Sequence, residues 1–318
     1  MARVYLVRGN NCQLANQLVL FASVYAWCIE RGHTLCNPSF SDYAHLFDNL
    51  GGPLVSPLVP GPWVNAGATR RRQRLWRFVA DLPGSPMGPL VSARQRDPVV
   101  QLPPTPSNWK EPVTGSDGRV FLSGWNFRNP VGLVKHHAAI VQAFRPRQPE
   151  RERVLAWAAG LDRSRLNVGV HIRHGDYRAF LGGRFYFTVE QHAEAMRRIA
   201  ERYRDLRPCF HVFSNEARKA EEFAGLDVRI CSGSAIEDLY RLGACDLIVG
   251  AMSTFSLWAA IYGDPAGQRG RSLVWHLGRA DGDEFGWFSD GHPSVIRLED
   301  ADPHVYSRFA AIKNSGGR

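Results

Sequence analysis

Residues 166–176 read Leu166-Asn167-Val168-Gly169-Val170-His171-Ile172-Arg173-His174-Gly175-Asp176. The first seven form a short apolar run bounded by turn residues, as expected of a strand buried on both faces in a parallel sheet. The polar stretch after Ile172 then lies beyond the carboxyl end of that strand. Ligands of open α/β sheets bind there.

Working outward, the pattern repeats. Thr188 and Gln191 form a capping box, and Met196, Ile199 and Tyr203 continue that helix. Phe210–Phe213 reads as a strand, Glu216–Phe223 as a helix and Val228–Cys231 as a strand. Ser234 with Glu237 makes a second capping box, ahead of a helix with Ile236, Leu239 and Tyr240 on its apolar side. Leu247–Val249 is a strand, Ser253 opens a helix through Tyr262 that Gly263-Asp264-Pro265 stops, and Ser272–Trp275 is the next strand. Strands alternating with helices predict a parallel sheet with helices on both faces.

The amino-terminal part opens the same way. Arg3–Val7 is a short strand, followed by a polar loop. A helix with Leu14, Leu18, Phe21, Tyr25 and Ile29 on one face comes next, ended near Gly32, with a second strand near His33–Cys36. Residues 51–118 are rich in Gly and Pro, with short helical stretches among loops. Arg145-Pro146-Arg147-Gln148-Pro149 reads as a linker, because proline breaks both periodicities. The expected domains are therefore 1–148 and 149–318.

At 318 residues, and about 150 per domain, two domains agree with length alone. A chain 44% apolar and 22% charged is neither disordered nor fibrous. No apolar run reaches the ~20 residues needed to span a bilayer, and no secretory signal opens the chain, so the expected location is cytoplasmic. The six cysteines form no CxxC pair and no zinc-like cluster, which predicts free thiols. The net charge of +9 is uneven: residues 1–150 carry 16 basic and 8 acidic side chains, residues 151–318 carry 23 and 22. Part of the excess lies in Arg70–Arg72, Arg74 and Arg77, interleaved with Leu75, Trp76 and Phe78. A solvated helix face, nucleic acid, an anionic lipid surface and an acidic substrate all suit that cluster.

The strand ends supply the candidate chemistry. His171 and Arg173 share a side by alternation. A guanidinium there can grip a diphosphate through two parallel hydrogen bonds, and Asp176 can orient it or act as a base. Ser214-Asn215-Glu216 follow the next strand, as cap residues or as readers of a base or ribose. Gly250-Ala251-Met252-Ser253-Thr254-Phe255-Ser256 feed a helix start whose amides and hydroxyls favour an anion. Gly9-Asn10-Asn11 and Asn16-Gln17 hold the matching place in the first domain.

These residues carry a resemblance. His171-Ile172-Arg173-His174-Gly175-Asp176-Tyr177 matches the HxRxGDY motif of the α-1,2-fucosyltransferases, glycosyltransferase family eleven. In the same order, Asn16-Gln17-Leu18 resembles that family's GNQ(L/M)FQYA segment, Gly124-Trp125-Asn126-Phe127 its GYFQ stretch, and Phe213-Ser214-Asn215-Glu216 its FSDD-type strand end. Glu237-Asp238-Leu239-Tyr240, Cys245 and Ser253-Thr254-Phe255-Ser256-Leu257-Trp258 are similar to its final run, DL..MS.C…NSTFSWW. The sequence departs from the family at Ala15, His174, Met252 and Leu257.

The resemblance implies two Rossmann-like domains facing across a cleft in a GT-B-like fold. It implies an inverting, metal-independent transfer of fucose from GDP-fucose, α-1,2 to galactose, with no cofactor. It implies Arg173 on the donor diphosphate and His171 near the nucleotide. Ser253, Thr254, Phe255 and Ser256 fall in its donor segment, and Asn16, Gln17, Ser214, Asn215, Glu216 and Asp238 in its substrate-binding set. Asp176, Glu237, Asp238 and Asp42 are all open as the base. The acceptor would be a glycan or lipid-linked oligosaccharide, bringing the basic first half to the inner face of an anionic membrane. The rivals are a histidine-phosphatase-like hydrolase through Arg173-His174-Gly175, a basic nucleic-acid-binding module without a known signature, and an inactive transferase that binds donor only.

Overall fold

The computed structural model of the chain describes residues 3–8, 13–37, 40, 43–50, 100–102, 119–124, 127–263, 273–277, 294 and 301–307. The arginine cluster at 70–77, Gly9-Asn10-Asn11, Cys12, Asp42, Trp125-Asn126 and Asp264-Pro265 lie outside the described residues. The chain divides into two units, Met1–Gln148 and Pro149–Arg318.

The first unit opens with β1 (Arg3–Arg8), α1 (Leu14–Glu30) and β2 (Thr34–Cys36). It continues with β3 (Val100–Gln101), β4 (Arg119–Ser123), α2 (Pro130–Lys135) and α3 (His137–Ala143). Its strands form a parallel sheet in the order β2-β1-β4-β3. α1 is apolar nearly all round and buried along most of its length, so packing rather than propensity holds it. Phe21 meets Phe40 and Phe144 edge-to-face at 5.3 and 5.1 Å between ring centroids. Arg31 and Gly32 end the helix with amide bonds back to Trp27 and Ile29.

The segment expected as a linker is not a free loop. Pro146 bridges Phe47, the Asp48 amide donates to the Arg145 carbonyl at 3.1 Å, and the Arg147 amide to that of Leu46 at 3.0 Å. Pro149 falls in the first turn of α4 (Gln148–Ala159), where a missing N–H costs nothing.

The second unit contains β5 (Asn167–Ile172), α5 (Val189–Arg202), β6 (Cys209–Ser214), β7 (Val228–Ile230), α6 (Ala235–Gly243), β8 (Leu247–Gly250), α7 (Thr254–Tyr262) and β9 (Leu273–His276). All five strands are parallel, in the order β7-β6-β5-β8-β9, with β5 central. Alternation along β5 sends Val168, Val170 and Ile172 into a core with Met196 and Ile199 of α5. The other face is so tight that a β-carbon on Gly169 would lie 2.6 Å from Leu242 of α6. Both capping boxes form as expected, at Thr188/Gln191 and Ser234/Glu237.

The helix expected over Glu216–Phe223 is absent. Only a short 3-10 turn, Ala220–Phe223, forms. The Glu216 and Arg218 side chains turn back onto the loop after β5 instead, Glu216 to the Gly175 amide and Arg218 to His174.

Among the described residues the cysteines, Cys28, Cys36, Cys209, Cys231 and Cys245, are free thiols. No described helix is long and apolar enough to cross a membrane.

Candidate active site

Three loops leave the carboxyl ends of adjacent strands β6, β5 and β8. Residues 173–178 follow β5. Gly175 turns the chain there at φ +60°, a left-handed conformation that glycine adopts without steric cost, with the Asn215 side chain 3.0 Å from where a β-carbon would sit. Gly250 ends β8 so close to β5 that a β-carbon would lie 2.5 Å from the His171 carbonyl oxygen.

Arg173 is fixed on two sides. Its Nη2 contacts both carboxylate oxygens of Asp176, at 2.8 and 2.9 Å, and its guanidinium lies 5.4 Å from the ring centroid of Tyr177. Tyr177 Oη donates to the Met252 carbonyl at 3.2 Å. Burial raises the pKa of that phenol, so it stays protonated as a donor. His171 is buried, its Nδ1 2.9 Å from Ser256 Oγ, and its ring stacks on Phe255 at 4.7 Å. Two bridges, Tyr177–Met252 and His171–Ser256, therefore tie the arginine loop to the start of α7. Ser253 caps that helix, its Oγ accepting the Phe255 amide hydrogen at 3.2 Å, and Thr254 is its half-buried first residue.

Asn215 and Glu216 brace the same loop, and Ser214 caps the turn that carries them. Asn215 Oδ1 accepts the His174 amide at 2.9 Å, Glu216 Oε1 accepts that of Gly175 at 3.2 Å, and Ser214 Oγ accepts that of Glu216 at 3.2 Å. Arg218 Nη2 reaches Glu216 Oε2 at 2.7 Å and His174 Nδ1 at 2.6 Å. Burial pushes the Glu216 carboxyl up, but hydrogen bonds from Arg178 and His174 outweigh it and hold it below the usual range.

His174 is buried, with Nε2 2.8 Å from the Phe187 carbonyl and Nδ1 on Arg218. Both ring nitrogens are engaged inside the protein. This leaves neither to attack phosphorus and counts against the phosphatase reading.

Of the other carboxylates, Glu237 caps α6 through the Ser234 amide and pairs with Arg153, which together hold it low against the effect of burial. Asp238, in the first turn of α6, differs. Burial first, then neighbouring Glu237, raise its pKa to about 6, with Arg241 opposing. Its Oδ1 is buried, takes no hydrogen bond and lies 3.6 Å from Arg241 Nη1.

Asn16 and Gln17 lie in the first turn of α1 in the first unit, the former half-buried and the latter buried. Sequence reasoning did not place Tyr177, Arg218 or the Met252 carbonyl in the site. The tyrosine closes the quoted motif, so its signal was present. Arg218 meets His174 across 44 residues, and no local pattern marks it. Among the described residues no three His, Cys, Asp or Glu side chains gather as a metal site.

Residues 148–267 match the family model described as Glycosyl transferase family 11. The fold is similar to that of fucosyltransferase NodZ from Bradyrhizobium, with a TM-score of 0.50 at 16% identity, covering 81% of this chain and 93% of that one. It is similar also to a point mutant of Arabidopsis thaliana FUT1 in complex with GDP, with a TM-score of 0.51 at 15% identity, covering 88% of this chain and 71% of that one. Among curated protein sequences nothing matches significantly. The chain thus has the GT-B-like fold of two parallel-sheet α/β units, and its second unit is similar in sequence to glycosyltransferases of family eleven.

Proposed function

We propose that the protein is an inverting fucosyltransferase that moves fucose from GDP-fucose to a glycan hydroxyl, α-1,2 to galactose. One observation carries the reading: Arg173 is held beside the amino end of α7 through Tyr177–Met252 and His171–Ser256. A guanidinium and helix-start amides side by side make a site for a diphosphate. Solved proteins of the same fold bind GDP, which favours the same donor here.

In the reaction, the acceptor oxygen forms a bond to the anomeric carbon from the face opposite GDP. The bond from that carbon to the diphosphate oxygen breaks, and GDP leaves with its electron pair. Arg173 and the start of α7 stabilise the charge that develops there, so no metal is called for. Asp176 braces Arg173 in this reading. The acceptor proton passes to a carboxylate or to water. The second unit holds the nucleotide sugar and the first unit, with Asn16 and Gln17, the acceptor side. The basic excess of residues 1–150 suits a lipid-linked acceptor at an anionic membrane face.

A thermal-shift screen of GDP and GDP-fucose against UDP and ADP sugars tests the donor, because a ligand that binds only the folded state raises the melting temperature. Guanine nucleotides should stand out, and a preference for uridine or adenine would refute the assignment. Vesicles of phosphatidylglycerol should capture the protein, and charge reversal at Arg70–Arg77 should release it. Equal capture of both forms would remove the membrane role.

A further inference from the structure

Arg218 lies outside every motif quoted above, on a stretch that departs from its local preference. The helix expected over Glu216–Phe223 is reduced to a short turn, Ala220–Phe223. Positions where local rules are broken tend to be functional or strained. The Arg218 side chain is 9% exposed, against 56% for Arg178, another cation on Glu216. One nitrogen of Arg218, Nη2, makes two contacts, 2.7 Å to Glu216 Oε2 and 2.6 Å to His174 Nδ1. Its Nε lies 3.4 Å from Ser214 Oγ and its Nη1 3.5 Å from Glu222 Oε1.

Both Nη2 contacts end on the turn that carries Arg173. Glu216 uses its two oxygens separately: Oε2 takes Arg218, and Oε1 accepts the Gly175 amide at 3.2 Å. His174 stands between Arg173 and Gly175, and its Nε2 lies 2.8 Å from the Phe187 carbonyl. Arg218 therefore holds the turn by its backbone through Glu216 and by a side chain through His174. Arg178 also reaches Glu216, at 3.3 and 3.4 Å, but an exposed ion pair contributes little. The path of the turn sets where Arg173, fixed to Asp176 and Tyr177, presents its guanidinium. We propose that Arg218 is a positioning residue for Arg173, acting through the turn and not on the donor itself. Small misplacements of a group that must meet a reacting centre are costly, so such a brace affects function beyond stability. This role rests on the transferase reading and deepens it by naming a residue that orients the diphosphate arginine.

The test is a double-mutant cycle read by calorimetric titration of GDP, with amide hydrogen exchange over residues 173–178 as the second measurement. Arg218→Met should weaken GDP binding about fivefold, short of the loss in Arg173→Ala. In the Arg173→Ala background it should add nothing further. Because one nitrogen makes both contacts, a lysine ammonium can stand in for it. Arg218→Lys should therefore return GDP affinity to within about twofold of the wild type. In Arg218→Met the amides of 173–178 should exchange faster, while those of β5 keep their protection. Should Arg218→Met not fold, Glu216→Gln breaks the same pair, keeps an oxygen for the Gly175 amide, and should show the same pattern. Equal GDP affinity in folded Arg218→Met would overturn the role. Losses that add in the double variant would also overturn it, by making Arg218 a donor contact in its own right. A folded wild type that binds no GDP, with exchange at 173–178 still governed by Arg218, would remove the diphosphate reading and leave only a structural brace. GDP binding with exchange indifferent to Arg218 would keep that reading and remove the positioning role.

Discussion

In the first unit, α1 follows β1 without any side-chain cap, its N-cap residue Gln13 making no such bond. In the second unit, Thr188, Ser234 and Ser253 cap α5, α6 and α7, and charged side chains lash the loop after β5 in place. At α1 apolar burial dominates, with Glu30 at its far end pairing to Lys135; at the loop after β5, hydrogen bonds and ion pairs at strand ends are added to an apolar core. Burial is non-directional and sets no particular angle between polar groups. Paired guanidiniums and carboxylates fix orientation, and a site that must meet a diphosphate needs orientation.

The two units should therefore break in different ways. Phe21→Ala should empty the centre of the first unit and cost about 3–5 kcal/mol in denaturant unfolding. A loss under about 1 kcal/mol would mean that the unit is not held by that core. In the second unit, acid should act through histidines. Burial, with the nearby charge of Arg218, lowers His192 from its usual 6.5 to about 4, and burial does the same for His211. A depressed histidine gives its full stability above about pH 6.5 and loses it as pH falls toward 4. Each should cost about 3 kcal/mol over that window. Unfolding at stepped pH should show the slope, and His192→Gln should flatten it; an unchanged slope would contradict the burial of a neutral ring.

Smaller effects separate loop from helix start. Arg218→Met leaves Glu216 and His174 without their shared partner, and should cost about 1–3 kcal/mol. Ser253→Ala removes one cap and should cost about 1 kcal/mol, read as a drop of a few degrees in melting temperature. If Ser253→Ala proved the more damaging of the two, ion pairing would not be what holds the site.

Much of this is legible in the sequence because it is local. The Leu166–Ile172 run marks the central strand, Thr188/Gln191 and Ser234/Glu237 mark two helix starts, and Ser253 marks a third. The expected helix at Glu216–Phe223 does not form for a non-local reason: Glu216 and Arg218 are drawn to Gly175 and His174, 41 and 44 residues back in the chain. Tyr177 reaches Met252 over a separation of 75 residues, which no spacing rule reveals. The 145–149 segment reads as a linker because proline marks a break, but proline equally marks the first turn of a helix. Ser214, Asn215 and Glu216 read as caps or ligand readers; Ser214 caps the Glu216 amide, and the Asn215 and Glu216 side chains brace the loop that carries Arg173.

The central claim is that Arg173 and the start of α7 grip one diphosphate. Calorimetric titration of GDP into the wild type and Arg173→Ala tests it most directly. The account predicts that the substitution weakens GDP binding at least about tenfold, the low end for a charge-assisted pair, with the melting temperature preserved. Equal GDP affinity in the two folded proteins would contradict it.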